Sequence, residues 1–120
     1  MLKVIVDRLK WIRGEGVKAS FLLRPGDYKM CCMGFACEAA GISRENLLNK
    51  KVVTDVIDAR CEISHPLHGF CSHLMVDAFD NTVAGIIYMI NDNEALTDSK
   101  RESRLIELGR MVDIDFEFIN

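Results

Sequence analysis

Residues 113–119 alternate without a break: Ile114, Phe116 and Phe118 against Asp113, Asp115 and Glu117. A period of two, with β-branched and aromatic residues on one side and carboxylates on the other, is the pattern of a strand with one buried face and one wet face. Such a strand cannot stand alone. Its N–H and C=O groups need a neighbouring strand, and its apolar face needs a layer to cover it. The chain must therefore build a sheet covered on one side, and the question is which segment supplies the partner strand.

Val17–Arg24 (VKASFLLR) is the other segment with this period, setting Val17, Ala19, Phe21 and Leu23 against Lys18, Ser20, Leu22 and Arg24. Pro25-Gly26 fits the centre of a type II turn, proline fixing φ first and glycine accepting a positive φ next. Tyr28–Cys31 then returns as the second strand of a hairpin. The expected sheet is thus small and antiparallel, an N-terminal hairpin plus the C-terminal strand.

Helical spacing accounts for much of the rest. Leu2, Val6, Leu9 and Ile12 predict an amphipathic helix over residues 2–13, stopped at Gly14-Glu15-Gly16. Residues 32–40 (CMGFACEAA) predict a slim helix, and Ser43 a cap for a short one over Glu45–Asn49. Val83–Ile90 reads as a buried helix, preceded by an apolar run over His73–Phe79 and a cap or turn at Asn81-Thr82. Thr97–Arg110 carries the fullest set of signals. These are Thr97 or Ser99 as cap, Ser99 with Glu102 as a capping box, an apolar stripe of Leu105, Leu108 and Val112, and Arg110 near the negative end of the helix dipole. Residues 51–64 fit a helical turn as well as a strand, Cys61–Ser64 suggests an edge strand, and the proline and glycine of His65–Phe70 mark a loop. The sum is one α+β domain over residues 1–120, its antiparallel sheet packed with about four helices.

Composition limits what this domain can be. The 120 residues are 49% hydrophobic and 28% charged, a globular balance. A chain of this mass buries roughly two thirds of its surface on folding, enough for a core without staples. No apolar stretch reaches the roughly 18 residues a membrane helix needs, and the N-terminus lacks the apolar region of a signal peptide. The five cysteines are odd in number and irregular in spacing, so free thiols in a reducing cytoplasm are the expectation. Charge is uneven. Residues 1–60 carry eleven Lys/Arg and seven Asp/Glu, and residues 61–120 carry four and eleven. The two halves can attract one another, within a chain or between protomers of a homo-oligomer, or the basic half can hold an anion. Neither half has the dense basic clustering of a duplex nucleic-acid binder.

Four constellations could carry chemistry. Cys61, His65, His68 and Cys71, with His73 beside them, are Cys/His ligands spaced as zinc ligands often are, in a loop that metal could order. They also read as two semi-buried cysteines with surface histidines. Cys31-Cys32 falls at a strand–helix junction, where a thiol can be activated as a nucleophile, or simply packs as a small apolar pair. Arg13, Gly14, Gly16, Lys18, Arg24 and Lys29 form a glycine-flanked basic set that could cradle a phosphate, although no P-loop or dinucleotide fingerprint is present. If a nucleotide bound there, Trp11 or Tyr28 could stack on its base, and Arg101 could add a further charge contact. Asn91-Asp92-Asn93-Glu94 offers oxygen ligands without EF-hand spacing and reads as the polar end of a helix.

Several stretches together resemble a family of small bacteriophage and prophage proteins. They are Trp11-Ile12-Arg13-Gly14-Glu15-Gly16, Ser20–Arg24, Lys29-Met30-Cys31-Cys32-Met33-Gly34-Phe35 with Cys37, Asn91-Asp92-Asn93, Leu96, Arg101-Glu102 and the closing acidic–aromatic strand. The likeness covers residues 10–42 and 86–119 and does not reach Cys61–His73. It implies a product of the bacterial cytoplasm acting on host machinery, by blocking a host-defence protein or sequestering a nucleotide signal. It carries over no catalytic residue. The expectation is a non-catalytic binding protein for a small anionic ligand or a host protein. A zinc-stabilised interaction domain and a cysteine-dependent enzyme are the alternatives.

Overall fold

The computed structural model describes residues 1–58, 60–74 and 82–120. The strand at the C-terminus forms as its alternation demands: β2 spans Ile114–Ile119, with Ile114 and Phe116 buried. Its partner is β1, Leu2–Asp7, and the two run parallel in the register Leu2↔Ile114 through Asp7↔Ile119. The expected antiparallel sheet is therefore wrong in direction and in composition. Val4-Ile5-Val6 is a run of three β-branched residues, stiff at χ1 and suited to a pleated surface. Val4 and Val6 are fully buried while Ile5 is 49% exposed, so the period there is two, not the helical one that Leu2, Val6, Leu9 and Ile12 suggest. A parallel pair needs a crossover connection, and here everything between residues 8 and 113 forms it.

Val17–Arg24 is not a strand. Val17–Ala19 makes a single 3-10 turn, and Leu23 meets Leu48 in an isolated parallel bridge. The Pro25-Gly26 turn does form, with Gly26 at φ 99° and the Arg24 N–H donating to the Lys29 carbonyl at 2.8 Å, but no hairpin ladder extends from it. Met30 instead bridges Trp11.

The helices among the described residues are α1 (Cys32–Ala39), α2 (Arg44–Leu47), α3 (His68–Leu74), α4 (Val83–Asp92) and α5 (Asp98–Met111). α1 packs on β1 and α5 on β2, covering the face that carries Val4, Val6, Ile114 and Phe116. Gly34 lets α1 approach closely, because a side chain there would collide with the Leu22 carbonyl. α4 packs between α3 and α5, and the Phe70 and Tyr88 rings meet edge to face with centroids 5.7 Å apart. Each fully buried residue of this core, such as Met33, Phe70 or Leu105, contributes about 1.5–3 kcal/mol through burial.

Local signals fared unevenly. Thr97 caps α5 through its hydroxyl, which accepts from the Lys100 N–H. Ser99 lies inside that helix and caps nothing, and Glu102 reaches Arg8 instead. Ser43 stands at the N-cap of α2 without a side-chain bond. Cys61–Ser64 forms turns, not an edge strand, and the loop over His65–Phe70 becomes helical from His68. Most of the apolar run His73–Phe79, and Asn81 of the expected turn, lie outside the described residues.

The charge asymmetry resolves within the chain. Arg8 pairs with Glu102 at 2.7 Å, Arg13 with Asp98 at 3.0 Å, and Lys3 with Asp115 and Glu117 at 3.4 and 3.2 Å. Cations of the first half thus meet carboxylates of the second. No described helix is long and apolar enough to cross a membrane.

Candidate functional site

The C-terminal end of α4 organises the molecule. Asn91 is buried and uses its whole amide. Its Oδ1 accepts from Trp11 Nε1 at 2.9 Å and from the Cys32 N–H at 3.1 Å, while Nδ2 donates to the Ile12 carbonyl at 3.0 Å and to Asp92 Oδ1 at 2.9 Å. The carbonyls that end the helix are closed from two sides. The Gly14 and Gly16 N–H groups donate to the carbonyls of Asn91 and Asp92, both glycines holding positive φ. Arg101 donates to the carbonyls of Ile90, Asn93 and Leu96 at 2.7–2.9 Å. A helix C-terminus leaves such carbonyls without partners inside the helix, and a cation beside it also suits the dipole.

This node uses up half of the residues expected to hold an anion. Trp11 is 2% exposed and packs against Phe118, with the Arg13 guanidinium 4.8 Å from its ring centroid, so it cannot stack on a base. Arg101 is equally buried, and its Nε finds no hydrogen bond among the described residues and lies 3.6 Å from Asp98. Arg13 is shared between Asp98 and the carbonyls of Arg8 and Trp11. Arg24 is held by Asp27, Glu15 and the Ala19 carbonyl, and its guanidinium pulls the Asp27 carboxyl down to about 2. Tyr28 is exposed at φ 58°, next to a half-buried Lys29 on the same turn. The expected six do not form one anion cradle. Arg13, Trp11 and Arg101 belong to the α4 node, and Arg24, Tyr28 and Lys29 to the Pro25-Gly26 turn.

The cysteine and histidine candidates also separate. The Cys61 thiol helps to raise that of Cys71, but His68 Nδ1 lies 3.0 Å from the Cys61 carbonyl and His65 Nδ1 accepts from the Leu67 N–H. Among the described residues, no three His, Cys, Asp or Glu side chains converge where an ion could sit. Cys31 and Cys32 are buried at the start of α1. Burial raises the Cys31 thiol to about 11 and Cys32 well above the ordinary thiol range, the opposite of nucleophile activation.

What the node leaves open is a cleft beside Asp92. Two adjoining cavities of about 190 and 380 Å³ share Val17, Met89 and Asp92. Val17 on the 3-10 turn and Met89 on α4 stand 74% and 64% exposed on its walls, and Ile86 and Ile90 extend the apolar surface. Asp92 is the carboxylate of the floor. Burial holds its carboxyl above the usual range; bonds to Asn91 and Ser20 and the charges of Lys51 and Arg101 oppose this without overcoming it. Lys51 also lines the cleft; its Nζ donates to the Lys18 carbonyl at 2.7 Å and lies over the Phe21 ring, without forming an ion pair with Asp92 among the described residues. Glu94 adds a second carboxylate at the rim. No histidine or cysteine is among the described residues that line the cleft, and Ser20 lines it next to Asp92.

The sequence hinted at this cleft in one place. α4 is apolar nearly all round. Ala84 and Ile87 are buried on one side, whereas Ile86 and Ile90 are half-buried and Met89 is exposed on another, so the helix is not fully buried as expected. Val17 gives no such signal, since it looks like one more inward residue of a strand. Set against protein-family models, curated proteins and solved structures, the chain matches none.

Proposed function

We propose that the chain is a non-catalytic, phage-encoded binding protein that holds a host protein inside the bacterial cell. In this reading the cleft seats an apolar side chain of the partner with a lysine or arginine next to it. The observation that carries the reading is the Asp92 carboxylate at the floor of an otherwise apolar cleft walled by exposed Val17 and Met89. Apolar walls supply affinity by losing water, and a largely buried carboxylate with no ion pair among the described residues selects a basic group. A small anionic ligand fits less well, because Arg13, Arg24 and Arg101 are already engaged and the cleft is acidic. The resemblance of residues 10–42 and 86–119 to small phage proteins supports a host target.

Selection from a displayed random-peptide library tests this. The expected winners carry an apolar residue beside Lys or Arg, and lose binding to Met89→Asp and Val17→Asp while keeping it to Arg13→Ala. Acidic or phosphorylated winners, or winners indifferent to both cleft variants, overturn the reading.

A further inference from the structure

We propose that two copies of the chain pair through the outer edge of β1, antiparallel and centred on Ile5, to form a continuous four-stranded sheet in the order β2–β1–β1–β2. No residue that lines the cleft lies on this strand. A two-stranded sheet leaves both of its edges open. The Leu2 N–H donates to the Asp113 carbonyl at 3.0 Å, and Leu2 is in register with Ile114. In a parallel ladder that sets the direction of every group: Leu2, Val4 and Val6 aim their N–H and C=O at β2, while Lys3, Ile5 and Asp7 aim theirs outward. Among the described residues, no backbone group of another element bonds to the N–H or C=O of Lys3 or Ile5. Ile5 is 49% exposed, so this edge presents unpaired backbone beside an apolar side chain.

Charge complementarity selects both the occupant and the register. With Ile5 opposite Ile5 of the second copy, Lys3 of each copy, which also meets Asp115 and Glu117 of its own chain, faces Asp7 of the other, whose Oδ1 already accepts from Leu9 and Asn120 of its own chain, and Val4 faces Val6. Opposite charges directly across a pair stabilise a sheet. The two-fold relation makes the contact isologous, which closes the assembly at two copies. Ile5 exchanges both of its backbone bonds with its counterpart, and the Asp7 N–H reaches the Lys3 carbonyl of the other copy. The β2 edge does not offer this. Antiparallel pairing about Phe116 would set Asp115 opposite Glu117, like charge against like, which protects that edge.

Sedimentation velocity over a concentration series, with hydrogen exchange at each point, tests the pairing. The expected result is a reversible dimer in which the Lys3 and Ile5 amides slow as concentration rises. Ile5→Pro removes the outward N–H without cutting the β1–β2 ladder, a position where an edge strand accepts proline, and should give a monomer. Asp7→Lys, which sets two lysines opposite two lysines, should weaken the dimer roughly tenfold or more. The double variant Lys3→Asp/Asp7→Lys should restore it. If Ile5→Pro fails to fold, the two charge variants decide. A wild-type chain that stays monomeric at millimolar concentration, or a dimer indifferent to the charge variants, overturns the proposal. Val17→Asp and Met89→Asp should leave the dimer unchanged, so failure of the cleft reading is separable from failure of this one.

Discussion

Trp11 Nε1 donates to Asn91 Oδ1 at 2.9 Å, joining residues eighty positions apart at the centre of the molecule. Around this one bond gather Ile12, Gly14, Gly16, Cys32, Asp92, Asn93, Leu96 and Arg101. They are the parts of a polar node that closes the end of α4, and the node in turn holds the Gly16–Ser20 segment and Asp92 where the cleft needs them.

Asn91→Ala should be among the costliest single changes. It strands the Trp11 N–H, the Cys32 N–H and the Ile12 carbonyl in the core, each without water to replace the lost partner. A loss of about 3 kcal/mol or more is expected, read as a fall in Tm of roughly 10 °C or more. Trp11→Phe should cost less, about 1–2 kcal/mol, because Asn91 Oδ1 keeps its bond from Cys32. Urea titration of both variants checks the order.

Arg101 should not tolerate lysine. Its guanidinium reaches the carbonyls of Ile90, Asn93 and Leu96 with two nitrogens in a planar fork, a geometry one ammonium cannot copy. Both Arg101→Ala and Arg101→Lys should lower the denaturation midpoint strongly. Arg13→Ala and Arg24→Ala, at half-exposed ion pairs, should each cost about 1 kcal/mol or less, and neither should change partner binding.

Asp92→Asn should raise stability and lower binding together. Burial holds the folded Asp92 carboxyl above its ordinary range, so the folded chain binds that proton more tightly than the unfolded chain. The sign follows from linkage. The contribution of this group to stability is largest below the ordinary carboxylate range and falls as pH rises through the raised folded value. Asparagine removes the buried charge, so the variant should melt a few degrees higher at neutral pH and lose this part of the pH dependence. Its affinity for a basic, apolar peptide should fall at least tenfold. A variant that melts lower and binds unchanged would remove Asp92 from the site.

The cysteines should label slowly at neutral pH. Cys37 and Cys71 are pushed up to about 12 by burial, and Cys31 to about 11, so few thiolates exist to react. Cys61, the one half-exposed thiol, should react first with a maleimide, and the other four only with global unfolding. Rapid labelling of Cys31 or Cys32 in the folded chain would revive a thiol chemistry that their burial argues against.

Parts of the fold were legible because their signals are local. The α5 cap at Thr97 and the alternation of Ile114, Phe116 and Phe118 depend on neighbours a few residues away, and both formed where the periods place them. Glycine at Gly14 and Gly16 marks a true change of direction, since both adopt positive φ. The site was barely legible. Trp11, Arg13 and Arg101 look like ligand contacts when read singly, because aromatic and arginine side chains serve binding and internal packing with the same groups.

By itself, the sequence determined that this chain needs a sheet, that one face of its last strand is buried, and that several helices cover it. The tertiary structure alone decided which segment pairs with that strand. Leu2–Asp7 has a period compatible with helix and strand alike, and only the row of Ile114, Phe116 and Phe118 beside Leu2, Val4 and Val6 selects the strand. Pairing the two ends of a chain in parallel is a contact with no local trace. Its free energy comes from apolar area buried between residues more than a hundred positions apart, and the same contact frees Val17 from the sheet and leaves it on the wall of the cleft.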